Sequence, residues 1–349
     1  MVVCSACDLS RAAWPWHARY SEAGMRISTI IVGLLTLVMT MAAASAETPA
    51  LRVAVLKFGT VNWELDTISH HGLDAAEGFA LDVQGVASSS AAQIAFQGGQ
   101  ADVIVSDWLW VARQRAAGRD MIFIPYSKAV GGLMVPDDSD VQGLADLKGG
   151  KIGIAGGPLD KSWLILRAYS EKTLGFDLKA ETEQVFGAPP LIFKAALDGD
   201  LAGAINFWHF MAKMETAGMR KLIDISDAAR DLGLDPETPL LGYVVKGDLL
   251  RNDPDLVHGL ARASFAAKDI LARDDAEWDR LRDHMNARSD AAFEALKAGF
   301  RAGIPVSQAI DREAAARMLE LMYRLGGADL LGQASTLPDG IFLDPEKPG

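Results

Sequence analysis

Cysteine is almost missing from this chain. Its two residues, Cys4 and Cys7, both precede the first long apolar run. Everything downstream therefore lacks a disulfide, a thiolate nucleophile and a cysteine metal site. Positive charge is also in deficit, with 34 Lys and Arg against 46 Asp and Glu, a net −12. Nucleic acid is excluded as a partner on that balance. No HExxH pair and no Asp/Asn calcium loop occurs, so no metal is expected. His70-His71 is the one histidine pair, and neighbours on a helix point about 100° apart, which argues against a shared ion. His209, His258 and His284 stand alone. The stretch Gly156 to Ser162 lacks the spacing of a phosphate-binding Gly-x4-Gly-Lys loop, and no serine sits in a G-x-S-x-G elbow. Low-complexity tracts and long-period repeats are absent as well.

One long apolar run is present, Ile27 to Met41, behind Arg26 and ahead of Ala44-Ser45-Ala46. A basic start, a short apolar core and a small-x-small ending form a secretory leader cut after Ala46. The core is short for a membrane span of roughly 20 residues. No lipid-anchoring cysteine follows, so residues 25–46 read as a cleaved signal peptide and the mature chain as soluble. Residues 1–24 have no targeting logic, and Met25 is the expected true start.

Beyond the leader, short apolar runs alternate with helical patterns, the mark of an α/β fold. Leu51–Leu56, Phe79–Val86, Ala101–Val105 and Met121–Ile124 read as strands, then Gly132–Val135. A second set follows at Lys151–Ala155, Leu201–Ile205 and Tyr243–Val245. Helices are expected at Asp66–Gly78, Ser88 to Phe96, Trp108–Ala117, Lys161–Leu174, Leu191–Leu197 and Trp208–Ala217. From Pro254 the chain is almost entirely helical. Two lobes with crossings near Met134–Asp140 and Pro239–Tyr243 follow from this plan. Residues 47–136 plus 241–349 make lobe 1, and 137–240 make lobe 2, with the C-terminal helices completing lobe 1.

Several ordered segments carry a family resemblance: HGLDAAEGFALDV from His71, ASSSAAQIAFQGGQADVIVSD from Ala87, DSDVQGLADLKGGKIGIAGGPLDKSWL from Asp138 and LDGDLAGAINFW from Leu197. Together they resemble the nitrate/sulfonate/taurine-type (NitT/TauT, NMT1-like) ABC substrate-binding proteins over roughly residues 50–275. The resemblance implies a two-lobed type II periplasmic binding fold, each lobe a mixed sheet flanked by helices, that closes on a small molecule. It further implies a periplasmic monomer that docks on an ABC permease in the inner membrane, performs no chemistry and needs no cofactor. A periplasmic sensor, or a pyrimidine-precursor-type enzyme on the same fold, is the alternative; the missing cysteines speak against the enzyme.

Ligands of open α/β sheets bind beyond the carboxyl ends of the strands. That rule selects Thr60, Asn62 and Trp63 after the first strand, Ser88, Ser89 and Ser90 after the second, and Ser106, Asp107 and Trp108 after the third. In lobe 2 it selects Gly157, Lys161, Ser162 and Trp163, then Asn206 and Trp208. Four tryptophans, two per lobe, suggest an aromatic cage for a flat or cationic ligand, and Asp107 fits a cation. The helix starts at Ser88–Ser90 and Gly157–Ser162 instead suit a sulfonate or carboxylate, with Lys161 as a further positive charge. A zwitterion would use both sets. No arginine lies in these loops to clamp an anion.

Overall fold

The computed structural model describes residues 48–345. The leader, its cleavage site and residues 1–24 lie outside the described residues. Among the described residues no helix is long and apolar enough to cross a membrane.

Among the described residues ten strands form two five-stranded sheets. The first contains β1 (Ala50–Leu56), β2 (Ala80–Val86), β3 (Val103–Asp107), β4 (Met121–Ser127) and β10 (Leu241–Lys246), in the order β2-β1-β3-β10-β4. The second contains β5 (Gly132–Pro136), β6 (Lys151–Ala155), β7 (Glu183–Gly187), β8 (Gly203–Asn206) and β9 (Met219–Asp224), in the order β7-β6-β8-β5-β9. In each sheet three neighbouring strands run parallel and the fourth in the order runs antiparallel to both its neighbours. The plan is the same in both, with β3 and β8 in equivalent central places.

The strands follow from their residues. Parallel strands covered on both faces read as continuous apolar runs, and β3 and β6 do. The edge strand β2 is mostly exposed and carries Asp82 and Gln84 at its surface. β4 ends the first sheet yet is buried throughout. The last described residues cover it: Phe123 donates its N–H to Ile341 at 2.8 Å and accepts from Leu343 at 2.9 Å. A free edge is thereby closed. β7 and β9 were not expected. β7 is half-exposed, and β9 carries Arg220 and Lys221, so neither presents an apolar run.

β5 corrects the first crossing. The sequence places it at Met134–Asp140, with residues up to 136 in lobe 1; Met134 instead pairs with Ala204 and Lys221 in the second sheet. The chain thus leaves the first sheet between Ser127 and Gly132. Gly131 is required there, since a Cβ would lie 2.3 Å from the Asn206 carbonyl oxygen. The return runs from β9 through the helix Ile225–Asp231 to β10.

The C-terminal helices are shared rather than confined to lobe 1. Helix Pro254–Arg273 packs on helix Val61–His70 of lobe 1. Between them Lys268, 2 % exposed, meets the fully buried Glu64 at 2.8 Å, and Tyr243 and Ser264 donate to the same carboxylate. Burial lowers the Lys268 pKa, opposed by that carboxylate. Helix Asp290–Ala302, however, packs on helix Trp208–Glu215 of lobe 2, and helix Arg312–Leu331 packs on helices from both lobes. Its Ala315, Leu319 and Met322 join one apolar cluster with Trp108 and Ile104 of lobe 1 and Trp163 and Ile154 of lobe 2.

Candidate functional site

A cavity of about 490 Å³ opens where the carboxyl ends of strands from both sheets meet. Lobe 1 contributes Thr60 and Val61 after β1, Ser89, Ala92 and Gln93 after β2, Ser106 and Asp107 at the end of β3, and Tyr126 near the end of β4. Lobe 2 contributes Gly156 to Ser162 after β6 and Phe207, Trp208 and His209 after β8. The first crossing, Ala129 to Gly131, and Leu240-Leu241 of the second complete the wall.

Eight of the fifteen residues chosen from the sequence line this cavity: Thr60, Ser89, Ser106, Asp107, Gly157, Lys161, Ser162 and Trp208. The other seven do not, each for a local reason. Asn62 turns its amide back onto the carbonyls of Leu56 and Gly59, at 2.8 and 2.7 Å, and so shapes its own loop. Asn206 is used the same way, donating to the Pro189 carbonyl and accepting from the Phe207 N–H. Ser88 caps the helix Ser89–Gln97 by accepting from the Ala91 N–H, and Ser90 is exposed on that helix. Trp63, Trp108 and Trp163 are buried in the core. Trp63 sits in a cluster with Trp208, Trp278 and Phe300, with ring centroids 5.9–6.2 Å apart. The four-tryptophan cage is therefore not formed. Trp208 alone among the described tryptophans lines the cavity.

Trp208 also crosses between lobes. It opens a lobe 2 helix but rests on helix Asp290–Ala302, where a Cβ at Gly299 would lie 2.6 Å from its ring. It also borders a second cavity of about 500 Å³, lined by the first crossing, the Trp208 helix and residues such as Lys128, Lys221 and Glu237. Those charges are paired, Lys128 with Glu237 and Lys221 with Asp224.

The first cavity has one ion pair of its own, and it spans the lobes: Lys161 Nζ lies 2.8 Å from Asp107 Oδ2. Asp107 also caps helix Trp108–Ala116, accepting from the Trp110 N–H. Burial pulls the Lys161 ammonium down, but the charge and hydrogen bond of Asp107, with Asp160 behind, hold its pKa above the ordinary value. Asp160 caps helix Lys161–Leu174 through the Trp163 N–H; burial raises its pKa, against that hydrogen bond. The two helix starts expected to attract an anion thus already hold an oxygen of Ser88 and of Asp160.

Sequence reasoning missed Tyr126 and His209. The strand-end rule, applied to β4 as well, selects Tyr126. Its hydroxyl lies 3.3 Å from Thr60 Oγ1. His209 is 8 % exposed, and its Nε2 has no hydrogen-bond partner. Burial, with the charge of Lys213, lowers its pKa to about 3, so the imidazole is neutral at physiological pH. Helix Trp208–Glu215 starts at Phe207 without a side-chain cap, and helix Val61–His70 starts at Thr60 likewise.

The rings of His70 and His71 lie together, with centroids 5.0 Å apart, against the sequence expectation. His71 lies beyond the end of its helix, so the helical 100° rotation does not separate the rings. Ligand atoms of His70, His71 and Glu277 all fall within 4.8 Å of one another. The Glu277 carboxylate is nonetheless already bonded by Arg280, Thr67 and His71.

Comparison with known proteins agrees with this geometry. A family model described as NMT1/THI5 like matches residues 69–277. No curated protein matches the chain by sequence. Among solved structures, the alkanesulfonate-binding protein SsuA from Xanthomonas axonopodis pv. citri, bound to MOPS, superposes with a TM-score of 0.66 at 17% identity, covering 86% of this chain and 99% of that one. The periplasmic aliphatic sulphonate binding protein SsuA from Escherichia coli gives 0.65 at 18%, covering 87% and 98%. An ABC transporter structure from Parabacteroides distasonis gives 0.62 at 14%, covering 85% and 99%. These likenesses establish the two-lobed binding-protein fold.

Proposed function

The chain belongs to the NMT1/THI5-like family, and from that premise we propose that it is the periplasmic solute-binding component of an ABC importer for a small organic molecule. The supporting observation is the cavity itself, built from the carboxyl ends of strands in both sheets, which is where such folds hold ligands. Its volume suits a molecule of metabolite size. Residues from both lobes face it, so a ligand binds best when the lobes approach, and closure is selected by ligand affinity for the closed form. The closed form is then what an inner-membrane permease recognises. The export leader belongs to the same reading.

Binding without chemistry is favoured by how the charged wall residues are employed. Asp107 and Asp160 cap helices and Lys161 is bonded to Asp107, which leaves none of them poised as a free acid or base. The enzymes of the family remain the competing reading, and turnover of any bound compound would favour it.

A thermal-shift screen tests the proposal. The protein is unfolded and refolded to strip carried ligand, then mixed with sulfonates, taurine, betaines, choline-like amines, aminopyrimidines and nitrate. A ligand at about 100 times its Kd adds about 2.7 kcal/mol, a rise of several degrees. No response from the folded protein to any small solute would refute the receptor role.

A further inference from the structure

Charge is scarce in the cavity. Only Asp107, Asp160 and Lys161 of its lining residues carry formal charge, and no arginine is among them. The single cation is spent: Lys161 lies 2.8 Å from Asp107 across the cleft. Both carboxylates are anchored at helix starts, Asp107 on Trp110 and Asp160 on Trp163, so neither swings away to free Lys161. A helix start ordinarily welcomes an anion. Here two of the cleft helices already hold a carboxylate in that position, and a second negative charge nearby would be repelled. Most of the remaining wall is apolar or aromatic, from Val55 and Leu56 to Tyr126, Phe207 and Trp208.

Resting on the solute-receptor reading, we propose that this cleft selects an uncharged organic molecule and rejects anions, sulfonates included, because Asp107 neutralises the one cation an anion could use. The bound molecule presents an apolar body to the aromatic wall. Its hydrogen-bonding edge faces the hydroxyls of Thr60, Ser106 and Tyr126 and the neutral imidazole of His209, all of them in the lining. Neutral hydroxyls and a neutral imidazole pair with a neutral donor or acceptor and supply no compensating charge for an anion.

The test uses Asp107→Asn. Asparagine caps a helix as well as aspartate and has nearly its shape, so the fold and the Trp110 contact are kept while Lys161 is released. Benzenesulfonamide, benzenesulfonate and benzylamine share one ring and differ in charge; each is titrated calorimetrically into both proteins. The wild type is expected to bind the sulfonamide at least about tenfold tighter than the sulfonate, and Asp107→Asn to gain at least about tenfold for the sulfonate. A wild-type cleft that binds the sulfonate as tightly as the sulfonamide overturns the inference. An Asp107→Asn protein with no gain for the sulfonate overturns it too, including the case where no probe binds either protein. The receptor reading is decided separately, by the thermal-shift screen.

Discussion

The two lobes place a tryptophan at the same point and use it in opposite ways. Trp108 follows β3 and Trp208 follows β8, each as the first residue of its helix. In lobe 1 the preceding residue is Asp107, whose carboxylate caps the helix. Trp108 then packs wholly into the core against Phe342. In lobe 2 the preceding residue is Phe207, which cannot cap. Trp208 stays half-buried, reaches the glycine gap at Gly299 and walls the cavity. Topology therefore fixes where a residue starts, while its neighbours decide what it faces.

The sharpest way to break this contrast is Trp108→Ala. Removing a fully buried indole should cost about 3–5 kcal/mol in urea unfolding, with affinity unchanged wherever the protein remains folded. A cost below about 1 kcal/mol would place Trp108 outside the core.

Acid separates the lobes next. His209 in lobe 2 has a folded pKa of about 3, below its ordinary 6.5. Stability from keeping it neutral is present above pH 6.5 and is lost as pH falls toward 3, by up to about 1.4 kcal/mol per unit. In lobe 1 burial pushes the Glu277 carboxyl up, but hydrogen bonds from Arg280, Thr67 and His71 outweigh it and hold the pKa at about 2, below 4.5. Its contribution is present above pH 4.5 and disappears only between 4.5 and 2. Lobe 2 should therefore weaken first. His209→Gln should flatten the stability–pH slope between pH 6.5 and 4.5, and an unchanged slope would remove His209 from that role.

Gly299→Ala forces the Trp208 ring to move and should cost about 1–3 kcal/mol, with weaker ligand binding. Restoring room through the Trp208→Leu second change should recover part of the stability but not the affinity. Strictly additive effects would show that the two residues do not meet. The smallest effect belongs to Asp107→Asn, within about 1 kcal/mol in stability, since the cap survives; Asp107→Ala should lose about 1 kcal/mol more. Equal losses in the two variants would deny Asp107 its capping role.

The fold was largely legible because its central strands are covered on both faces and so appear as apolar runs. β7 and β9 were hidden by exposure and by Arg220-Lys221, whereas β5 was legible as a strand but assigned to the wrong lobe because it directly follows β4 in sequence. At the site, strand ends were legible and side-chain directions were not. Nothing in the sequence around Trp63 or Trp163 distinguishes an indole turned inward from one facing a cleft. Asn62 and Asn206 look like ligand contacts until the carbonyls they bond are known. The pairing of Asp107 with Lys161 joins residues 54 positions apart and depends on how the two lobes meet.

The most direct measurement follows tryptophan fluorescence as a compound that raised the melting temperature is titrated in. Trp208 is the one described tryptophan in the cavity wall, so binding should change the emission of the wild type, and that change should vanish in a Trp208→Phe protein that still folds. An emission change of equal size in Trp208→Phe would mean that the ligand sits elsewhere, and would contradict the placement of the site between the two sheets.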